Sequence, residues 1–311
     1  MYPDTSAFPR YVGFKLHTVA GFATAVALFG CGGSAQESVP PIYFIGAGDI
    51  AQCGAQTAEQ SAAAQTASLI QASAYAVVYT LGDNTYPNGA IEEFQSCYDP
   101  TWGAFKDRTY PCSGNHDYGT LDAAGYFEYF GNRAGPSRRG YYSYDLGNWH
   151  IVALNSNINA QVGSPQEKWL RSDLASHAQS RCLLAYWHHP VFSSSAAHGN
   201  DPKMAEIWQT LGEFGADVAL VGHDHGYERF SPQRSDATLD ANGIRQFVVG
   251  TGGASFYSFA APQPNSEVRI ENAFGVLRFT LREASYDWLF IPVDPTKPID
   301  SGHAECHRAK R

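Results

Sequence analysis

The sequence is short of charge. Only 16% of its 311 residues are Asp, Glu, Lys or Arg, and no run of Lys or Arg stands out. A nucleic-acid-binding face needs a basic footprint, so no nucleic-acid partner is expected. Six cysteines stand at positions 31, 53, 97, 112, 182 and 306, and none forms a CxxC pair, which argues against a thiolate zinc site. After residue 40 there is no internal repeat, low-complexity tract or long linker. Apolar residues reach 44%, enough for a substantial core and too many for a disordered chain. The formal charge is -9. Such a surface does not attract anions at long range, so any affinity for them must be local, from metal ions or a few donors.

The first thirty residues differ from the rest. Arg10, Lys15 and His17 precede an apolar run from Val19 to Phe29, too short for a permanent membrane span but suited to a signal-peptide core. The run ends at Leu28-Phe29-Gly30-Cys31. That end resembles a bacterial lipobox, with Cys31 as the lipidated first residue of the mature chain; simple cleavage and secretion is the alternative. Residues 1–30 are thus expected to be a signal, 31–41 a linker and 42–311 a catalytic domain. In an exported protein some of the cysteines should pair, though spacing leaves the connectivity open.

Beyond the linker, short apolar runs alternate with helical stretches. Ile42–Ala47, Val77–Leu81, Ile151–Leu154, Cys182–Trp187, Val218–Val221 and Phe247–Val249 read as buried strands. Thr57–Ala72 and Met204–Phe214 read as helices, and Ser164-Pro165-Gln166-Glu167 as the capped start of a third that runs to His177. Phe274–Val293 reads as two strands about a turn at Glu283–Ser285. The alternation predicts an α/β fold.

Metal-type residues follow the strands. The first runs into Gly48-Asp49, the second into Gly82-Asp83-Asn84-Thr85-Tyr86, and a short apolar segment into Gly114-Asn115-His116-Asp117. The run at 182–187 ends in His188-His189-Pro190, and that at 218–221 in Gly222-His223-Asp224-His225. Each motif alone is ordinary, a turn or a helix cap. Five together, each at a strand end and each offering a hard or borderline ligand, point to one metal site, because open α/β sheets build their sites at strand ends.

In this order the motifs resemble those of the calcineurin-like metallophosphoesterases, and among them those of the purple acid phosphatases. The segment Gly222-His223-Asp224-His225-Gly226-Tyr227-Glu228-Arg229 is similar to that family's GHxHxYER. Many metallophosphoesterases carry a ligand His two residues after the first Asp; here Ala51 stands there, while Tyr86 lies three residues after Asp83, as in the purple acid phosphatases. The resemblance implies a four-layer sandwich of two mixed β-sheets flanked by helices, and a cage for two metal ions. Asp49, Tyr86 and His225 would hold Fe(III). Asn115, His188 and His223 would hold a divalent Fe, Zn or Mn, with Asp83 bridging the two. His116, His198 and Asp117 would serve catalysis, Asp117 by orienting His116. Small phosphate esters would be the substrates, and the cations would make hydroxide available to attack phosphorus. A phosphodiesterase or nucleotidase with the same cage, and a non-catalytic metal-binding surface protein, are the competing readings. Residues 190–202 and 226–245 are expected to form the substrate rim, with His189 on it, and Asp224 to be structural.

Overall fold

The computed structural model describes residues 40–54 and 57–307; the signal and Cys31 lie outside the described residues. Two mixed sheets carry the fold. The first has the strand order Asp300–Glu305, Ser285–Pro292, Gly275–Leu281, Ile42–Ala47, Val77–Leu81, Thr109–Cys112. Its last three strands are parallel and the others antiparallel. The second runs Ser266–Ile270, Tyr227–Phe230, Arg245–Val249, Val218–Val221, Cys182–Tyr186, Trp149–Ala153, Tyr142–Leu146, parallel from Arg245–Val249 to Trp149–Ala153.

Alternation along the second sheet makes the layers. Ile151, Ala153, Leu184, Tyr186, Leu220, Phe247 and Val249 share a buried cluster with Phe44, Tyr79 and Phe279 of the first sheet. Their neighbours Val152, Leu183, Ala185, Ala219, Val221 and Val248 point the other way, onto Leu170 and Leu174 of helix Pro165–Ser176 and Ile207, Trp208 and Leu211 of helix Ala205–Glu213. Helix Ala62–Gln71 sets Ala63, Ala67 and Ile70 against the first sheet. The order is helix, sheet, sheet, helix, the four-layer sandwich the motifs implied. The aromatic wealth of the sequence fills it: Phe94, Tyr98, Tyr129 and Phe130 pack ring to ring, Phe94 lying 4.9 Å from Tyr129.

Element ends follow their caps. Ser164 Oγ accepts from the Glu167 amide as the sequence predicts, but the Glu167 carboxylate reaches back to the Gly163 amide rather than to Ser164. The first long helix begins at Ala62, not Thr57, because Ser61 Oγ caps it at the Ala64 amide; residues 58–60 form a separate single turn. The short strands Thr109–Cys112, Tyr142–Leu146, Tyr227–Phe230, Ser266–Ile270 and Asp300–Glu305 were not legible as strands. Four of the five are edge strands and the fifth, Tyr227–Phe230, lies beside an edge; such positions do not require a continuous buried apolar run.

Cys53 pairs with Cys97 and Cys182 with Cys306, leaving Cys112 a buried thiol. The second bridge ties the end of the last strand to the start of a central strand of the other sheet. Among the described residues no helix is long and apolar enough to cross a membrane.

One buried ion triad lies outside the motifs. His150, fully buried, holds Asp145 at 2.7 Å on Nδ1 and Asp173 at 2.8 Å on Nε2. Burial pushes the imidazole down, but the two carboxylates outweigh it and raise its pKa, while Asp173 is held low against its own burial by His150. The fold therefore favours the imidazolium. Its contribution is complete below the ordinary His pKa of about 6.5 and fades as pH rises through the raised value. His150→Gln should cost roughly 2–3 kcal/mol at pH 6, discounted from a fully buried pair because Asp145 is half exposed. The gap in Tm between His150→Gln and wild type, measured from pH 6 to pH 9, should narrow as pH rises.

Candidate metal centre

The five motif loops meet where the two sheets face each other. Asp49, Asp83, Tyr86 and Asn115 come from loops after the first sheet's three parallel strands. His188, His223 and His225 come from loops after two central strands of the second. Asp49, Asp83, Tyr86, His188 and His225 are all buried, and Asn115 is exposed at the mouth.

Their donor atoms fall into two groups that share one oxygen. In the first, Tyr86 Oη lies 2.9 Å from Asp49 Oδ1, 3.1 Å from Asp83 Oδ2 and 3.2 Å from His225 Nε2, which is 3.3 Å from Asp49 Oδ1. In the second, His188 Nε2 lies 3.0 Å from Asn115 Oδ1, 3.2 Å from His223 Nδ1 and 3.2 Å from the same Asp83 Oδ2. Two ligands bound at about 2.1 Å and at right angles on one ion stand about 3 Å apart, so this spacing is that of ligands around a cation. The donor set fits as well. The first group has three potential anions, two carboxylates and a phenol; the second has two neutral imidazoles and an amide beside the shared carboxylate.

The backbone is bent to bring the donors in. Asp49, Asp83 and His223 all have positive φ, at 60°, 47° and 70°, a conformation worth about 1–3 kcal/mol of strain each for non-glycine residues. Hydrogen bonds between loops hold them there. Asp49 Oδ2 accepts from the His223 amide at 2.9 Å, and Asp83 Oδ1 from the His116 amide at 2.8 Å. The motif glycines make room. A Cβ on Gly114 would lie 2.1 Å from Asp83 Oδ1, and one on Gly222 2.7 Å from Asp49 Oδ2.

Electrostatics express the same crowding of carboxylates. Burial pushes His188 down, but Asp83 beside it outweighs burial and lifts the imidazole to about 9. Burial would raise Asp83, yet His188 and His116 hold it low. Burial and the neighbouring Asp49 and Asp83 push the Tyr86 phenol well above its ordinary range. His223 is driven well down by burial and by His188 and His189, so it is a neutral donor. The His188 Nδ1–H donates to the Leu81 carbonyl at 2.7 Å, which aims the Nε2 lone pair into the site.

The residues expected to serve catalysis divide. His116 stands at the mouth. Its Nδ1 lies 2.6 Å from the Pro87 carbonyl, which can only accept, so that nitrogen carries the proton and Nε2 is left free. The exposed His198 stacks on His223 with rings 4.1 Å apart, beside the metal cage. Asp117 does not orient His116. Fully buried, it accepts from the Gly114 and Asn84 amides and from the Asn84 side chain, clamping the second loop to the third. Burial and the Asp83 charge raise it to about 7. His189 lines the groove beside the cage together with Asn115 and Lys203, on the rim as expected; it is itself buried, holds Ser156 Oγ at 2.7 Å and is pushed down to about 2 by burial. Residues 226–245 do not line the site: Tyr227–Phe230 is a strand of the second sheet, and Arg234–Gly243 lies against helix Ala205–Glu213. Asp224 is buried in the GHDH turn.

One contributor was missed. Strand Arg245–Val249 ends in Gly250-Thr251-Gly252-Gly253, and the loop that follows brings Ser255 and Tyr257 onto His225. Ser255 Oγ is 3.1 Å from His225 Nδ1, and the Tyr257 ring stacks on the imidazole at 4.0 Å and 5°. The signal was present, a glycine-rich turn after a strand, but it carries no Asp or His.

Residues 16–227 match the calcineurin-like phosphoesterase family, to which the chain belongs. Purple acid phosphatase 15 of Arabidopsis thaliana is 29% identical over 212 residues, covering 57% of this chain and 40% of that protein. Purple acid phosphatase 18 of the same plant is 27% identical over 292 residues, 83% of this chain and 63% of that protein. The chain thus spans about 40–60% of the length of these relatives. Purple acid phosphatase PPD1 from yellow lupin seeds shares the fold, with a TM-score of 0.66 at 20% identity over 85% of this chain and 54% of that one.

Asp83→Asn should leave the protein folded but unable to keep two ions, since the shared oxygen loses its charge. Gly114→Ala should do the same by displacing the Asp83 carboxylate. Metal content by plasma emission spectroscopy, read beside circular dichroism, checks both; a full complement of two ions in either variant would contradict the cage drawn above.

Proposed function

We propose that this chain is an exported phosphatase that hydrolyses phosphate monoesters at a two-metal centre. One observation carries the reading: Asp83 Oδ2 belongs to both donor groups, as a carboxylate bridging two cations must. Two cations bound there would lower the pKa of a bound water and neutralise phosphoryl oxygens. The family and the purple acid phosphatase relatives support the reaction class.

The chain's own residues take the remaining roles. Asp49, Asp83, Tyr86 and His225 would hold the first ion, and the two carboxylates with the phenol would favour Fe(III) there; Asp83, Asn115, His188 and His223 would hold a divalent Fe, Zn or Mn. His116, with its proton fixed on Nδ1 and Nε2 facing the mouth, meets the ester and, when protonated, delivers a proton to the leaving oxygen. His198 packs beside it on His223. Export is supported by the leader and by two disulfides, which persist in oxidising compartments.

Three measurements test this. Turnover of p-nitrophenyl phosphate should exceed that of its bis ester, and equal or faster diester hydrolysis would make the chain a phosphodiesterase. His116→Ala should lower kcat by about 10²-fold, the usual worth of a positioned acid, with both ions retained. The protein purified without added metal should contain iron and absorb in the visible, and Tyr86→Phe should remove that band; a colourless two-zinc protein would leave the phosphatase reading intact and remove the iron.

A further inference from the structure

A groove leads away from the cage on the Asn115 side. Its first chamber, about 520 Å³, is walled by Asn115, His189, Lys203, Tyr118 and the 156–161 loop. A second, about 570 Å³, is walled by Tyr118, Ile158, Asn159, Asp122, Arg138 and Arg139. Tyr118, Ile158 and Asn159 belong to both walls, so the two chambers adjoin.

The arginines are fixed in place relative to the cage. The Asn155 amide nitrogen donates at once to Tyr118 Oη, at 2.8 Å, and to the Arg139 carbonyl, at 3.0 Å. Tyr118 stands three residues after the ligand Asn115, its amide bonded to the Gly114 carbonyl. The loop that presents the arginines is bent on purpose: Ser137 and Arg138 both have positive φ, at 59° and 53°. Both arginines are exposed, and their guanidinium groups lie over aromatic rings, Arg138 over Phe127 at 5.2 Å and Arg139 over Tyr141 at 5.9 Å. Among the described residues neither makes an ion pair, as is also true of Arg108, Arg133, Arg181, Arg269 and Arg278, while Arg171, Arg229, Arg234, Arg245 and Arg282 do. On a chain of charge -9, two adjacent unpaired arginines in a groove that opens at the reaction centre are a local anion trap.

We propose that Arg138 and Arg139 form a subsite for a second phosphate carried on the leaving group, making phosphate monoesters with two or more phosphates the preferred substrates. The proposal rests on the phosphatase reading above. One phosphate lies on the cage, the carbon frame runs past Tyr118 and Ile158, and the second phosphate is held by the arginine pair. Asp122 on the same wall opposes the second phosphate and limits its affinity.

The test uses the metal-loaded protein and two probes, p-nitrophenyl phosphate and fructose 1,6-bisphosphate. The double variant R138Q/R139Q keeps polar side chains on this exposed loop and removes the charges. It should lower kcat/KM for the bisphosphate by about tenfold, mostly through KM, with a far smaller change for p-nitrophenyl phosphate. Added salt should erode the wild-type preference, and Asp122→Asn should strengthen it. Equal effects on both probes, or none on the bisphosphate, would overturn the subsite. Calorimetric binding of fructose 1,6-bisphosphate separates this from the phosphatase reading. If wild type hydrolysed neither probe, binding that is lost in R138Q/R139Q would still uphold the subsite, and binding that survives in the variant would overturn it.

Discussion

Everything at the site hangs on one carboxylate. Asp83 Oδ2 lies 3.1 Å from Tyr86 Oη of one donor group and 3.2 Å from His188 Nε2 of the other, and Asp83 Oδ1 fixes the turn that carries Asn115 and His116 through the His116 amide. Two buried carboxylates, Asp49 and Asp83, stand beside a buried phenol, an arrangement that is costly unless positive charge lies between them. With protons alone the balance is partial. His188 takes one up, its pKa lifted to about 9, while His223 is driven neutral. Cations would supply the balance more fully, because each would meet several of these donors at once.

The strain in the loops follows from that convergence. A strand end delivers its first side chains along the sheet rather than across the gap to the other sheet. Turning Asp49, Asp83 and His223 into the left-handed region points three short side chains sideways within one residue of their glycines. The cost, a few kcal/mol in all, is offset by hydrogen bonds that cross between loops and by the cations themselves. The glycines at 114 and 222 are then required not for their own dihedral angles but because a carboxylate oxygen occupies the space where a Cβ would stand. Asp117, misread as a partner for His116, belongs to this bracing.

Much of this was legible in the sequence, and the reason is physical. Central parallel strands are buried on both faces, so Ile42–Ala47, Val77–Leu81 and Val218–Val221 read as unbroken apolar runs and their boundaries fall where expected. Ligands must be Asp, His, Asn or Tyr, and these declare themselves when five strand ends carry them. Illegible were the parts whose chemistry lies in the backbone or in tertiary contact. The Leu81 carbonyl that orients His188 has no sequence signature. Asp117 looks like a catalytic residue by neighbourhood, but its buried carboxylate clamps two loops together. Ser255 and Tyr257 reach His225 only because the sixth strand end folds back over the site.

Neither donor group comes from one sheet. The first draws Asp49, Asp83 and Tyr86 from one sheet and His225 from the other; the second draws Asp83 and Asn115 from one and His188 and His223 from the other. The cage is therefore a gauge of how the sheets are spaced, and an error of a few tenths of an ångström between them would break the contacts near 3 Å. What sets that spacing is the aromatic layer beneath. Phe44 lies 4.4 Å from Tyr79, both rings lie against Tyr186 of the facing sheet, and Phe247 meets Phe279 edge-on at 5.4 Å. Close-packed rings resist compression and shear, so the layer acts as a fixed spacer. Truncating one of these rings would open a cavity far from the metals, yet it would also let the two halves of the cage drift apart. Stability and metal affinity are coupled here through the packing between the sheets.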